Sequence, residues 1–126
     1  MDKVKMIQSY YDMWKKRDRS KIEDIFADDV VYTESYGPEH HGINEIIRWF
    51  DDWITKAKVF EWEITNGIEQ GNTIAVEWIF SFEYDGKRDI LDGVSIAVFD
   101  DFGKIVSMKE FQSKHEHYYP YKYKQT

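Results

Sequence analysis

Hydrophobic residues in the first half of the chain recur three or four positions apart, which is typical of amphipathic helices. This spacing predicts a first helix over residues 3–17 and a longer one from Ile43 to about Lys58. Between them, Ser20 and Glu23 have the spacing of a capping box, which predicts a short second helix.

Further along the chain, hydrophobic and polar residues alternate, which is the period of a strand with one buried face. The alternating runs span residues 30–34, 60–65, 74–84 and 105–113. Asp85-Gly86 predicts a two-residue hairpin turn after the third of these runs, and residues 100–103 predict the next turn. The segment between these two turns completes the set as a further strand. We therefore expect one early strand and, after the long helix, a four-stranded antiparallel meander.

Glu34 is an anomaly at the end of the early strand. It shares a strand face with Tyr32, so if Tyr32 points into the core, Glu34 does too. A carboxylate on a buried face is costly unless it is paired, protonated or open to a cavity. The alternative is that Glu34 already lies in solvent beyond the strand end. The strand pattern alone does not separate the two interpretations.

The two-residue hairpin turn also fixes the pairing of its strands. Counting back from the turn places Trp78 opposite Gly93 and Val76 opposite Ser95. Gly93 and Ser95 are small residues on the face where Trp78 is large. The inner face of the sheet is therefore either interdigitated or left with an unfilled cavity.

A second carboxylate is predicted on the same inner face. A four-residue turn at 100–103 would place Glu110 opposite Gly93, while a single-residue bulge would send Glu110 to the other face. The opposite face is too apolar for open solvent, so we expect a homodimer through it. That outer face carries Ala75, Glu77, Ile79, Val94, Ile96, Val98 and Phe111.

Composition and charge narrow the class of protein. The chain of 126 residues suffices for one domain, residues 1–126, with residues 115–126 as a C-terminal tail. Its formal net charge of −7 argues against nucleic acid or an anionic membrane as a partner. The chain has no cysteine, and His40-His41 are interpreted as exposed loop residues, so no metal and no cofactor are expected. The first helix follows no apolar leader, which favours the cytoplasm.

The order of elements resembles the nuclear transport factor 2-like superfamily, and the resemblance covers nearly the whole chain. The segments FADD (26–29), FEYDGK (82–87) and GKIVSM (103–108) look like those of bacterial ketosteroid isomerases and SnoaL-like domains. The resemblance implies an α+β fold in which a curved, mostly antiparallel sheet wraps a long helix into a cone, with two helices at the N-terminus.

The resemblance also implies roles for individual residues. The oxyanion-donating tyrosine of ketosteroid isomerases falls on Tyr10, and their carboxylate base falls on Glu34. Their second oxyanion donor, a protonated aspartate, falls on Ser95, and Glu110 adds a charge where the steroid enzymes are apolar. We therefore expect a small apolar or aromatic ligand, smaller or more polar than a steroid. The expected ligand-binding residues are Trp14, Tyr32, Phe50, Trp78, Phe80, Phe82, Met108 and Gln112.

Two functions remain open on the sequence. The first is proton transfer at a carbon next to a carbonyl, of the isomerase or cyclase type, with Glu34 as base and Tyr10, aided by Ser95, as oxyanion donor. In this hypothesis Glu34 and Glu110 titrate as a coupled pair. The second is a ligand-binding or dimerisation module without turnover. Convergence of Tyr10, Glu34 and Glu110 around an open cavity would favour chemistry. Their dispersal, or a cone filled by Trp14, Trp53 and Trp78, would favour binding or a purely structural role.

Overall fold

The structure is a computed structural model that describes residues 2–122. In this range the helices are α1 (Lys3–Lys16), α2 (Ile22–Ile25) and α3 (Ile43–Trp53). The strands are β1 (Phe26–Thr33), β2 (Glu39–His41), β3 (Ala57–Gln70), β4 (Thr73–Tyr84), β5 (Lys87–Phe99) and β6 (Ile105–Lys114). None of the helices between residues 2 and 122 has the length and apolar character to cross a membrane.

The six strands form one sheet in the order β2-β1-β6-β5-β4-β3. All neighbours pair antiparallel except β1 and β6, which run parallel. Helix α1 packs along β3, while α3 packs against β1 and β2. This curved, mostly antiparallel sheet with its helices confirms the α+β fold expected from the sequence.

The hairpin between β4 and β5 has the predicted turn and register. Asp85 and Gly86 both have positive φ angles, 54° and 83°, as a two-residue type I′ turn requires. Trp78 pairs with Gly93, and Val76 pairs with Ser95. A Cβ on Gly93 would lie 2.2 Å from the Trp78 ring, so the indole occupies the space that glycine leaves. At Gly93 the inner face is therefore interdigitated rather than left with an unfilled cavity.

The pairing of β5 with β6 differs from the prediction by two residues. Ser95 pairs with Glu110, and Gly93 pairs with Gln112. One residue of the difference comes from a longer turn, since Phe99 pairs with Ile105, and the other from a bulge next to Phe99. Because side chains alternate with a period of two, two single-residue shifts restore the original face. Glu110 therefore still points inward, although its predicted partner was wrong.

The start of β3 corrects two further predictions. Helix α3 ends at Trp53, earlier than predicted, because residues 57–59 already pair with β4. A bulge between Val59 and Glu61 then turns Phe60 away from the face of Trp62. On the outer side, the Arg88 guanidinium lies 4.1 Å from the centroid of the Phe60 ring.

Strand β2 was missed by the sequence analysis. It forms a short hairpin with β1, in which His40 pairs with Tyr32. Paired residues point to the same side of a sheet, so the His40 side chain is directed inward with Tyr32. Its side chain is only 18% exposed, whereas that of His41 is 63% exposed. The interpretation as exposed loop residues is therefore wrong for His40.

Tyrosine hydroxyls lie deep inside the core. Tyr10 and Tyr11 from α1 and Tyr32 from β1 are fully buried. The Tyr10 ring meets Phe26 edge-on, with 4.9 Å between the ring centroids. Buried hydroxyls need hydrogen-bond partners, and here their partners belong to a polar layer beneath a cavity.

Candidate functional site

A cavity of about 120 Å³ opens on the inner face of the sheet. Its wall includes all five tryptophans of the sequence and two carboxyl groups, those of Glu34 and Glu110. The lining residues are Trp14, Glu34, Ser35, Tyr36, Trp49, Trp53, Trp62, Trp78, Phe80, Phe82, Leu91, Glu110 and Gln112. A mainly aromatic wall with a few convergent polar groups is characteristic of a small-molecule site.

Glu34 is the first residue after β1 and is 7% exposed. Its backbone N–H donates to the Pro38 carbonyl at 2.8 Å, which closes the loop that leads into β2. The carboxylate then lies 2.8 Å from Nε2 of His40, whose ring stacks on Trp49. Glu34 is therefore held at the cavity by an imidazole that is itself packed in place. This resolves the ambiguity of the strand pattern in favour of the inward position.

Tyr36 lies beside Glu34 and is 67% exposed. Partial burial, and after it the neighbouring Glu34 carboxylate, raise the pKa of the Tyr36 phenol above its ordinary value. Tyr36 lines the cavity and also a larger outer groove of about 690 Å³, in both cases together with Trp49 and Trp53. These three aromatic residues therefore separate the enclosed cavity from the open groove.

Glu110 is the second carboxyl group in the cavity wall. Burial, and less strongly the negative charge of Glu34, raise its pKa to about 8, against the effect of a hydrogen bond from Tyr32. That bond runs from the Tyr32 hydroxyl to Oε2 of Glu110 at 2.8 Å. Tyr10 in turn donates to the Tyr32 hydroxyl at 2.8 Å. A neutral carboxylic acid at pH 7 is the form that this environment favours.

Ser95 completes the polar layer beneath the cavity. Its hydroxyl is fully buried and accepts hydrogen bonds from Tyr11 at 2.7 Å and from the Trp78 indole at 2.9 Å. With both acceptor positions used, its own proton is left for the hydrogen bond to Glu110. Burial raises the pKa values of Tyr10, Tyr11 and Tyr32, so all three remain neutral donors.

Glu110 links this polar layer to the cavity. Tyr32 and Ser95 donate to its carboxylate form. Because the carboxyl group also lines the cavity, its neutral form can offer its O–H to a molecule bound there.

No group of three or more His, Asp or Glu side chains able to hold a metal ion occurs in residues 2–122. The cavity instead presents two carboxyl groups. That of Glu34 is hydrogen-bonded to the His40 imidazole, and that of Glu110 is hydrogen-bonded to the Tyr32 hydroxyl. This donor set suits proton transfer or the binding of an organic molecule rather than metal coordination.

Residues 7–108 match the model of the SnoaL-like domain family. The chain belongs to this family. No match was found among curated protein sequences.

Solved structures agree with this assignment at the level of the fold. An NTF2-like protein from Burkholderia thailandensis is similar to this SnoaL-like domain with a TM-score of 0.75, 18% identity, and coverage of 90% of this chain and 92% of that one. A protein with a ketosteroid isomerase-like fold from Catenulispora acidiphila was solved in complex with trimethylamine. It is similar with a TM-score of 0.76 and 15% identity, and the match covers 87% of this chain and 85% of that one. An LEH-like epoxide hydrolase from M. tuberculosis has a TM-score of 0.77 and 14% identity, and the match covers 88% of this chain and 78% of that one. The nuclear transport factor 2-like fold expected from the sequence is thereby confirmed.

The structure brings together most of the site residues predicted for this SnoaL-like domain. Glu34 and Glu110 both line the cavity, whereas Tyr10 and Ser95 lie one layer below it. The Tyr10 hydroxyl bonds to Tyr32 rather than opening into the cavity. Of the predicted ligand-binding residues, those in the cavity wall are Trp14, Trp78, Phe80, Phe82 and Gln112, and those buried behind it are Tyr32, Phe50 and Met108.

Sequence reasoning missed His40, Tyr36 and three tryptophans of the wall, Trp49, Trp53 and Trp62. The tryptophans were recognised as apolar positions of α3 and β3 but were not assigned to the site. For His40, the signal was present in the turn residues Gly37-Pro38 that follow β1. A hairpin at that turn places His40 beside Tyr32 and Glu34.

Proposed function

We propose that this SnoaL-like domain catalyses proton transfer on a small molecule, at a carbon next to a carbonyl group. In this proposal Glu34 is the general base and Glu110 is the acid that donates to the developing oxyanion. The observation that carries the proposal is the pair of carboxyl groups held in unlike environments in the wall of one aromatic cavity. Pairs of this kind are the usual basis of acid and base roles in one site.

The proton balance of the proposed step is simple. The Glu34 carboxylate takes a proton from the carbon next to the carbonyl, and Glu110 donates a hydrogen bond to the carbonyl oxygen as negative charge develops there. Return of the proton to the same carbon gives exchange. In a carbonyl compound with a β,γ double bond, delivery of the proton to the γ-carbon moves the double bond to the α,β position and gives isomerisation. The pKa of Glu110, raised to about 8, keeps this donor protonated at neutral pH.

Tyr10 has a different part in this proposal from the one expected on the sequence. Its hydroxyl supports Tyr32, and Tyr32 donates to Glu110. Tyr10, Tyr32 and Ser95 are therefore proposed as positioning residues, which orient the Glu110 carboxyl and fix the direction of its proton. The oxyanion-donating role passes from Tyr10 to Glu110.

Exchange of the hydrogens next to the carbonyl of small ketones in D₂O, followed by proton NMR, tests the proposal. Acetone, butanone and cyclopentanone are suitable probes for a cavity of this size. We expect Glu34→Gln to slow exchange by about 100-fold or more, because a general base contributes about 10² to 10⁴. Glu39→Gln, which changes an exposed carboxylate of the same hairpin, is the matched control and should leave exchange unaltered. Equal exchange in Glu34→Gln and wild type would refute the role of Glu34.

The second candidate is binding of a small ligand in the same cavity without turnover. The small volume and enclosed aromatic wall favour it, since neither feature requires chemistry. The trimethylamine in the Catenulispora acidiphila structure supports a ligand of this size. Binding of a probe without any exchange above the buffer rate, over the whole ketone series, would favour this candidate.

We also propose that the domain forms a homodimer through the outer face of β4, β5 and β6. The apolar side chains of this face are only partly covered, and Phe111 is 53% exposed. A contiguous apolar face on a strand surface is a common basis for self-association. The face is the one defined above by residues from Ala75 to Phe111.

A further inference from the structure

The ionisable groups in the cavity wall are acidic, and none is basic. The wall contains the carboxyl groups of Glu34 and Glu110, and none of its lining residues is a lysine, an arginine or a histidine. Arg48 and Lys56 line the outer groove instead, together with His40. A ligand enclosed by the cavity thus meets acidic groups directly and basic groups only beyond the aromatic residues at its mouth.

Most of the remaining wall is aromatic, and Ser35, Leu91 and Gln112 complete it. Trp53 and Phe80 lie with 6.3 Å between ring centroids, and Phe80 stacks on Phe82 at 4.5 Å. The indole nitrogens of Trp49 and Trp62 are enclosed by protein, so the cavity meets the carbon surfaces of these two rings. Aromatic faces attract cations through the ring quadrupole, and several faces together form the cages that bind quaternary ammonium groups.

We propose that the occupant of this cavity is a small alkylammonium cation, or the alkylammonium group of a slightly larger molecule. The inference rests on the cavity being the ligand site, as proposed above, and it names the class of that ligand. The volume of about 120 Å³ is a little below that of the roughly 150 Å³ cavity known to accept benzene, which suits a trimethylated or tetramethylated nitrogen. A longer substituent would extend past Tyr36 into the outer groove.

Binding of a cation is coupled to the proton of Glu110. A positive charge beside this carboxyl stabilises its ionised form, so the pKa of Glu110 falls in the complex and the affinity rises with pH up to about 8. The titratable groups that face Glu110 are Tyr32 on β1, Tyr10 and Tyr11 on α1, and Glu34 and Tyr36 in the segment after β1.

His40, which is hydrogen-bonded to Glu34, is the titratable group that β2 contributes beside these carboxyl groups. A permanently charged probe keeps the charge of the ligand constant across the pH range. The ionisable groups of the protein are then the source of any change in affinity.

The test compares tetramethylammonium chloride with tert-butanol, which has nearly the same shape and no charge. Tryptophan fluorescence reports binding, since all five tryptophans line the cavity, and sodium chloride controls for ionic strength. We expect tetramethylammonium to bind at least about tenfold more tightly than tert-butanol at pH 8. Equal or tighter binding of tert-butanol, or no binding of tetramethylammonium, would overturn the inference.

Two variants locate the binding in the cavity. Trp53 is only partly buried at the end of α3, so its replacement is compatible with folding. Trp53→Leu should weaken tetramethylammonium binding several-fold more than Trp53→Phe, which keeps a π face. Glu110→Gln should reduce the gain in affinity between pH 6 and pH 9. Unchanged affinity in Trp53→Leu would place the cation elsewhere and overturn the assignment.

The results of this test and of the ketone exchange are independent. Cation binding without proton exchange would leave the inference standing and remove the catalytic proposal. Proton exchange on ketones without cation binding would leave the catalytic proposal standing and remove the inference of an alkylammonium ligand.

Discussion

Glu110 is the residue on which the proposed chemistry of the cavity depends. Its two hydrogen-bond partners, Tyr32 and Ser95, both donate, and its side chain is enclosed by the sheet and α1. These two donors favour the ionised form, but burial outweighs them and raises the pKa of Glu110 to about 8, so the neutral acid prevails at pH 7. The buried tyrosines contribute because they are neutral and fixed, and Tyr10 acts through Tyr32.

The raised pKa of Glu110 gives a definite sign to the pH dependence of stability. Between the unfolded value near 4.5 and the folded value near 8, the folded state binds more protons than the unfolded state. This group therefore lowers the unfolding free energy as pH rises through that window, by up to about 1.4 kcal/mol per pH unit. Glu110→Gln keeps the neutral shape and should remove this component, as urea unfolding at pH 5, 6.5 and 8 would measure. Parallel stability profiles for the two proteins would contradict it.

Gly93 offers a prediction about packing at the same scale. An added Cβ would meet the Trp78 ring at 2.2 Å and the Phe111 carbonyl oxygen at 2.5 Å. Gly93→Ala should therefore lower the unfolding free energy by about 1–3 kcal/mol and displace the Trp78 indole. Thermal unfolding with near-ultraviolet circular dichroism measures both effects. Gly71→Ala provides a control in open space at a turn, where any loss comes from the backbone alone.

Among single residues, the sequence predicted side-chain direction better than side-chain depth. The alternation of β1 placed Glu34 on the face of Tyr32, although it did not decide between an inward carboxylate and one in solvent beyond the strand end. Nothing in the alternation shows that the Tyr10 hydroxyl stops at Tyr32, one layer short of the cavity. Depth depends on how far α1 lies from the sheet, which is a tertiary property.

At the scale of elements, the β1–β2 hairpin determines how Glu34 is held. Three pairs, from Val31–His41 to Thr33–Glu39, bring His40 across from Tyr32. The hairpin is short and polar, so its alternation is too brief to predict a strand from composition. The β5–β6 pair shows that register is also hard to predict. Its turn and its bulge each shift the pairing by one residue, and no local sequence signal marks either shift. The face was correct only because the two shifts cancel.

His40 allows the role of this hairpin to be measured. His40→Phe keeps a ring stacked on Trp49 but leaves the buried Glu34 carboxylate without its imidazole partner. We expect a loss of about 1–3 kcal/mol in unfolding free energy at pH 7, since an unpaired buried polar group is costly. His41→Phe is the matched control, because the His41 imidazole is exposed and bonds only to surface Glu39. Equal losses in the two variants would contradict the special position of His40.

At the scale of the whole molecule, the sheet separates two functions. Its inner face forms the cavity with the helices, and its outer face carries the partly covered apolar residues proposed as a dimer surface. The two periodicities predicted the order of helices and strands, and the resemblance of that order to the nuclear transport factor 2-like superfamily implied this architecture. The order of elements along the chain could not predict the parallel pairing of β1 with β6, because non-local pairing depends on the closure of the sheet.

The dimer proposal is tested by a charge on the outer face. Ile96→Lys places an ammonium group in the middle of the apolar surface and should shift the protein to a monomer in multi-angle light scattering after gel filtration. Phe102→Lys, at the exposed turn between β5 and β6, is the control and should not change the mass. A monomeric wild type at high concentration would remove the proposal.

The ionisation of Glu110 is the most direct test of the site as a whole. Carboxyl-detected ¹³C NMR of the protein across pH 4 to 10 would follow this side chain individually. The account predicts a midpoint near 8, and a lower midpoint when tetramethylammonium is bound. A midpoint close to 4.3, as for an exposed glutamate, would contradict the neutral acid in the cavity and with it both the catalytic proposal and the coupling to a cation.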